Sequence, residues 1–438
     1  MFFHWIGDHG CWNGWLQVST PSPTLTAWCN ANPSRANISP LIAEQYQLEA
    51  HVRTLSSGER VLVDPNATIA RIYLYFYLMI NVGSLIGSIS MVYAERYVGF
   101  WLAFLLPTAM FCLCPTVLYI CRKRYVRVPP GGSVYSQAFR LWRFALRKWT
   151  PYAFLFTLSV RKKDTDAYRK QNEDFWDNVK PSRQEPKPNW MTFDDAWVDE
   201  VSRGFKACKV FLWYPLYCTS PSITKLNEAN PADLAYNQML NNLTSQAATM
   251  HLGGVPNDII NNLNPFSLII FIPIMDRIFY PFLRRIGIQF TPLKRITAGF
   301  LVAACSMVAA AVTQLYIYRR NPCGNAANQC LNEYGLHADI SVWVQAVAYV
   351  LGAISEIFAN ITSLEYAFMK APKNMRSLVQ AVALFMNAFS SALAQAFVGF
   401  SEDPLLVWNY GVVAILAAVG GVGFWLVNWK LDRDDCVG

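Results

Sequence analysis

Ile340 to Met369 is an apolar segment of about the length that crosses a bilayer, and Glu356 stands near its middle. A carboxylate at that depth must be paired, hydrogen-bonded or protonated, because bare charge is expensive away from water. Tyr349, Gly352, Glu356, Asn360 and Ser363 recur at intervals of three or four residues and so share one face of a helix. That face is polar and the remainder is apolar. Two readings follow: a buried carboxyl held by hydrogen bonds to a neighbouring helix, or a site facing a cavity for a solute or a proton. The second is favoured by the polar positions on other apolar runs.

Those positions are Asn81, Asn237 with Gln238, and Asn264. Each alone is the kind of residue that glues two membrane helices together. Around one cavity, together with Glu356, they describe a pathway for a polar solute. Arg35 would add a cation, and a cation opposite Glu356 suits a zwitterion with one end of each sign.

The elements that must position these residues are apolar spans. Of 438 residues, 53% are hydrophobic, 14% aromatic and only 15% charged, so the chain reads as an all-α polytopic membrane protein. A net charge of +8 raises the question of nucleic acid, but residues 122–209 alone hold 19 Lys and Arg against 10 Asp and Glu. The excess is confined to one loop between spans, as expected of a cytosolic segment, and gives no nucleic-acid face. Eleven cysteines show no metal spacing, and the five histidines form no H-E-x-x-H motif. No nucleophile stands beside a base, so neither an enzyme nor a metal or organic cofactor is expected. Cys323 and Cys330 bracket a polar loop that the topology places outside the cytosol, where a disulfide can persist.

In chain order, residues 1–34 carry Trp5, Trp12, Trp15 and Trp28 with no apolar run long enough to span. From Arg35 the pattern resembles the inner half of a membrane helix, followed by a loop with Arg53, Arg60 and Arg71. Spans are expected at about 69–93, with Gly83 and Gly87 one turn apart, and at 98–120, ending in Cys121-Arg-Lys-Arg. Residues 122–209 read as a basic cytosolic loop with short amphipathic helices. Val210 to Tyr217 would join Leu234 to Met250 as one span if 218–233 were an insertion. Further spans are expected at 264–285, bent by Pro265 and Pro273, then at 295–318, 340–369, 378–400 and 405–429. Residues 284–295, 370–376 and 431–438 would be cytosolic and 321–339 external.

Phe76 to Gly87, Asn264 to Asp276, Ser355-Glu-Ile-Phe, Leu364-Glu-Tyr-Ala-Phe-Met-Lys-Ala-Pro-Lys-Asn-Met-Arg-Ser and Ser401-Glu-Asp-Pro-Leu-Leu-Val-Trp-Asn-Tyr resemble the proton-dependent oligopeptide transporter family of the major facilitator superfamily, in its fungal peptide-transporter form. The resemblance implies two helical halves around a central site, with symport of protons and di- or tripeptides. By position, Glu356 resembles the tenth-helix carboxylate that receives the peptide amine. Asn81 and Asn264 match polar contacts on the fifth and eighth helices, and Asn237 with Gln238 stands at the polar position of the seventh. Arg35 occupies the place of a fourth-helix lysine tied to proton coupling and the peptide carboxylate; arginine keeps the charge but gives up a group that readily loses its proton.

The family's first three helices have no counterpart, and neither has their E-x-x-E-R-F-x-Y-Y-G motif, since Val92 stands where Glu95-Arg96 would need its first Glu. About nine spans are therefore expected, divided as 35–121 for the remainder of the first half, 122–209 for the loop, and 210–430 for a six-helix second half. Small peptides and membrane lipids are the implied partners, and the plasma membrane with a cytosolic C-terminus the implied location. The alternatives are a non-transporting, truncated or misannotated member of the family and a carrier of another small solute such as nitrate or an amino acid.

Overall fold

The structure is a computed structural model that describes residues 42–46, 51–54, 60–63, 65–123, 134–148, 175–184, 188, 190–211, 242–253, 257–372, 375–376, 378–383, 385–386 and 403–437. In chain order these hold β1 (His51–Thr54), β2 (Arg60–Val63), α1 (Pro65–Tyr97), α2 (Phe100–Cys121), α3 (Val134–Lys148), α4 (Asp195–Phe211), β3 (Met250–His251), α5 (Leu263–Arg285), α6 (Pro292–Arg320), α7 (Ala327–Tyr334), β4 (Ala338–Ser341), α8 (Val342–Lys370) and α9 (Leu406–Val437). Six of them, α1, α2, α5, α6, α8 and α9, are long and apolar enough to cross a membrane. The spans expected at 69–93, 98–120, 264–285, 295–318, 340–369 and 405–429 coincide with these six. The others, with 1–34, Arg35 and the insertion at 218–233, lie wholly or mostly outside the described residues.

Local chemistry sets the breaks. Pro65 opens α1 where a missing N–H costs nothing. Gly99, at φ 120°, takes a conformation that other residues avoid and so separates α1 from α2. Within α5, Pro281 cannot donate to a carbonyl one turn back; the ladder slips to a π-turn at Met275–Phe279, with Tyr280 N–H bonded to Met275 O. A second π-turn, Ile357–Ile361, begins directly after Glu356 in α8.

Helix α8 is the central element: most of its apolar stretch is buried, whereas little of that of α2 is. It packs on α6 through small residues. A Cβ on Gly299 would lie 2.8 Å from both the backbone N and the Cβ of Ala359, inside the π-turn, so only glycine allows this approach. Ser355 Oγ donates to Gly299 O at 2.8 Å and Ser306 Oγ to Ala348 O at 2.7 Å, fixing the same pair of helices. On the other flank of α6, Gly421 of α9 admits Phe300, which stacks on Phe424 at 5.8 Å.

Three sequence expectations are corrected. Arg71, read as a loop residue, lies inside α1, because the helix starts at Pro65, ahead of the apolar run. The stretch preceding it includes an antiparallel β1–β2 pair rather than loop alone. Ile340 and Ser341, expected to open a span, belong to β4, which pairs with β3 in parallel. Beyond these, helix α9 continues through 431–437 rather than ending near Trp429. The 321–339 segment holds α7 and the Cys323–Cys330 disulfide. It is tied down by Asp403, which accepts from the Tyr318 hydroxyl and, at 2.8 Å, from the Asn328 backbone N–H.

Candidate functional site

Glu356 is buried, 6% exposed, where α1, α5 and α8 meet. Asn264 Nδ2 of α5 donates to its Oε2 at 3.3 Å, and the Tyr77 phenol of α1 donates to its Oε1. Both carboxylate oxygens are therefore held by side chains from different helices. Asn81 acts at one remove: its Nδ2 donates to Tyr77 O at 2.9 Å, one turn back on α1, and so steadies the turn that carries the phenol. The structure thus brings Glu356, Asn264, Tyr77 and Asn81 together. Arg35, Asn237 and Gln238 lie outside the described residues.

Tyr77 was not singled out by the sequence, although a signal existed. It sits four residues before Asn81, on the same helix face. A phenol and an amide stacked along one face of an apolar helix repeat the pattern that marks Glu356 on α8.

Toward the start of α5 and α8 the site is continued by amides and hydroxyls. Asn261 Oδ1 accepts from Thr244 Oγ1 at 2.8 Å and from the Tyr349 hydroxyl at 3.1 Å. Gln246 Nε2 donates to Gln314 Oε1 at 2.7 Å, and Gln345 Nε2 donates to Gln246 Oε1 at 2.7 Å. All three glutamines are buried. Ser88 Oγ of α1 donates to Asn262 Oδ1. Gln345, Tyr349 and Glu356 follow one another along one face of α8, so the carboxylate ends a file of polar side chains.

Toward the opposite end the contacts are charged. Asp276 of α5, with a side chain 10% exposed, accepts from Arg71 Nε at 3.1 Å and lies 3.0 Å from its Nη2, while the Tyr75 hydroxyl donates to it at 3.3 Å. Arg295 of α6 pairs with buried Glu365 of α8 at 3.4 Å, its guanidinium 4.7 Å over the Tyr280 ring. Phe279 and Phe358, the latter inside the π-turn of α8, each pack edge-on against Phe290 and are tilted against one another. Going along α1, Arg71, Tyr77 and Ser88 touch Asp276, Glu356 and Asn262 in turn. Helices α1 and α5 therefore run antiparallel, with Glu356 of α8 held between the Asp276 and Asn262 contacts. A carboxyl so placed can exchange a proton, or exchange its neutral donors for a cationic one, without entering bulk water.

Comparison with known proteins gives this geometry a family. The profile of the POT family matches residues 34–413. The chain is 39% identical to the peptide transporter PTR_B of Candidozyma auris over 408 residues, covering 91% of this chain and 62% of that protein. It is 38% identical to the probable peptide transporter ptr2 of Schizosaccharomyces pombe over 406 residues, covering 91% and 58%. The chain thus spans about six tenths of the length of these relatives. Among solved structures, the POT family transporter PepTSo superposes with a TM-score of 0.57 at 16% identity, over 99% of this chain and 88% of that one, which speaks for the fold. With a matched family profile over most of its length, a helical bundle of membrane spans and relatives near 40% identity, this chain belongs to the POT family.

Proposed function

We propose that this chain serves proton-coupled symport of di- and tripeptides, with Glu356 as both the partner of the substrate amine and a proton carrier. The observation that carries the reading is the buried carboxyl with one donor from α1 and one from α5. A cationic amine can replace those donors, and a proton can replace the amine; one acid then links the two movements. The peptide-transporter names of the relatives support the substrate class. Asn81 and Asn264 would orient the peptide backbone. Arg35, Asn237 and Gln238 would line the remaining wall, with Arg35 facing the peptide carboxylate. The protein would work in the plasma membrane with its C-terminus in the cytosol, the side on which basic loops gather. The proton would serve as the coupling ion.

Uptake of a radiolabelled dipeptide into vesicles holding the purified chain tests this. Uptake is expected to rise on external acidification, and Glu356→Gln is expected to abolish that stimulation. Acid-stimulated uptake that survives in Glu356→Gln removes the residue from its role, and absence of dipeptide uptake by the unaltered chain overturns the assignment of function to it.

A further inference from the structure

Helix α3 has two faces of opposite character. Ala138, Leu141 and Ala145 are buried in a cluster with Trp176, Val198, Val201 and Met375, and Phe144 packs edge-on against Trp190 at 5.8 Å. On the outer face, Phe139 is 56% and Leu146 39% exposed, and Arg140 and Arg143 are exposed beside them. The spacing of 139, 143 and 146 puts Phe, Arg and Leu along one stripe. Trp142, its ring tilted against Phe139 at 5.8 Å, stands at its edge. The helix sequence contains Arg140, Arg143, Arg147 and Lys148 and no acid.

Helix α4, in the same cluster, shows how an ordinary solvated face differs. It mixes Asp195, Asp199 and Glu200 with Arg203 and Lys206, and Asp199 pairs with Lys180 at 3.0 Å. The cluster also grips the end of a membrane helix: Met375 stands five residues beyond the last residue of α8, and its sulfur lies 3.0 Å from where a Cβ on Gly204 would be. The outer face of α3 thus mixes exposed apolar side chains with arginines, and the cluster that carries it reaches Met375, just beyond the Lys370 end of α8.

We propose that this face seats α3 in an anionic lipid surface, Phe139 and Leu146 entering the headgroup boundary and Arg140 and Arg143 pairing with lipid phosphate and carboxylate. An exposed Phe and Leu flanked by arginines match an interfacial helix, and the absence of acid on α3 is the charge complement of such a leaflet. The assignment rests on the exposed face of α3 and on the membrane spans, and is independent of the role given to Glu356.

Amide hydrogen exchange over 134–148 tests it, using the full chain held as one copy per nanodisc. Discs of phosphatidylcholine alone are compared with discs also containing phosphatidylserine. Exchange in α3 is expected to slow in the anionic discs and α4 to stay unchanged. Each arginine at such a surface is worth about a fivefold effect, so the lipid response should fall by about thirtyfold in Arg140→Gln/Arg143→Gln. Arg140→Lys/Arg143→Lys, which keeps the charge, is expected to retain the response, separating charge from misfolding. Equal exchange of the unaltered α3 in both lipids, or a response that survives in the Gln pair, overturns the proposal.

Discussion

The Arg71–Asp276 pair joins α1 to α5 beyond the Glu356 site, and its two partners differ sharply in exposure: the Arg71 side chain is 61% exposed and that of Asp276 10%. Removing one partner should therefore not cost the same as removing the other. Arg71→Gln leaves a nearly buried carboxylate held by the Tyr75 hydroxyl, 3.3 Å away, a loss of about 2 kcal/mol for an undercompensated buried charge. Asp276→Asn leaves an arginine free to hydrate and an amide oxygen that still accepts from it, a loss of about 0.5–1 kcal/mol, typical of an exposed pair. The double variant then recovers part of the larger loss, with a coupling of about 1 kcal/mol. Denaturant unfolding of the detergent-solubilised chain and of these three variants measures the cycle. Equal losses for the two single variants, or a coupling below about 0.3 kcal/mol, would refute the reasoning that burial of Asp276 makes this pair matter.

Other consequences are as specific. Gly299→Ala forces a Cβ to within 2.8 Å of Ala359 and is expected to destabilise the chain by about 1–3 kcal/mol, measured in the same denaturant assay; a neutral result would show that α6 and α8 separate freely. Cys208 of α4, half-buried against an apolar cluster, has its thiol pushed up to about 11 by that setting, so at neutral pH it should react slowly with maleimide until the protein is denatured; rapid native labelling, mapped by mass spectrometry, would contradict this. Breaking the Cys323–Cys330 bridge with Cys323→Ser should cost about 2–3 kcal/mol, since the closed loop is short, and an unchanged unfolding midpoint would argue against the bond.

What could be read from the residues and what could not divide along physical lines. Apolar runs of bilayer length declare themselves without tertiary context, because backbone groups in lipid must bond within their own helix. Glu356 declared itself because a carboxylate is costly there. Tyr77 did not, since a tyrosine in an apolar helix is unremarkable until its hydroxyl is seen to meet Glu356. Arg71 looked like a loop residue because an arginine normally ends an apolar run, and only the distant Asp276 explains its place within α1. The π-turn in α5 sits before Pro281, whereas the bends were expected at Pro265 and Pro273; the one after Glu356 has no proline and is seated by Ala359 against Gly299, a contact made between helices far apart in sequence. Strands β3 and β4, two and four residues long, are too short for any periodicity to show.

The claim on which the rest depends is that Glu356 is a protonatable acid facing the substrate rather than a sealed structural group. Hydrophobic carbodiimides modify carboxyl groups in their protonated form, so labelling of the purified chain, located by mass spectrometry, addresses it directly. Glu356 should be modified faster at acidic pH and protected by saturating dipeptide. Modification that dipeptide leaves unchanged, or a Glu356 that no acidification makes reactive, would contradict the account.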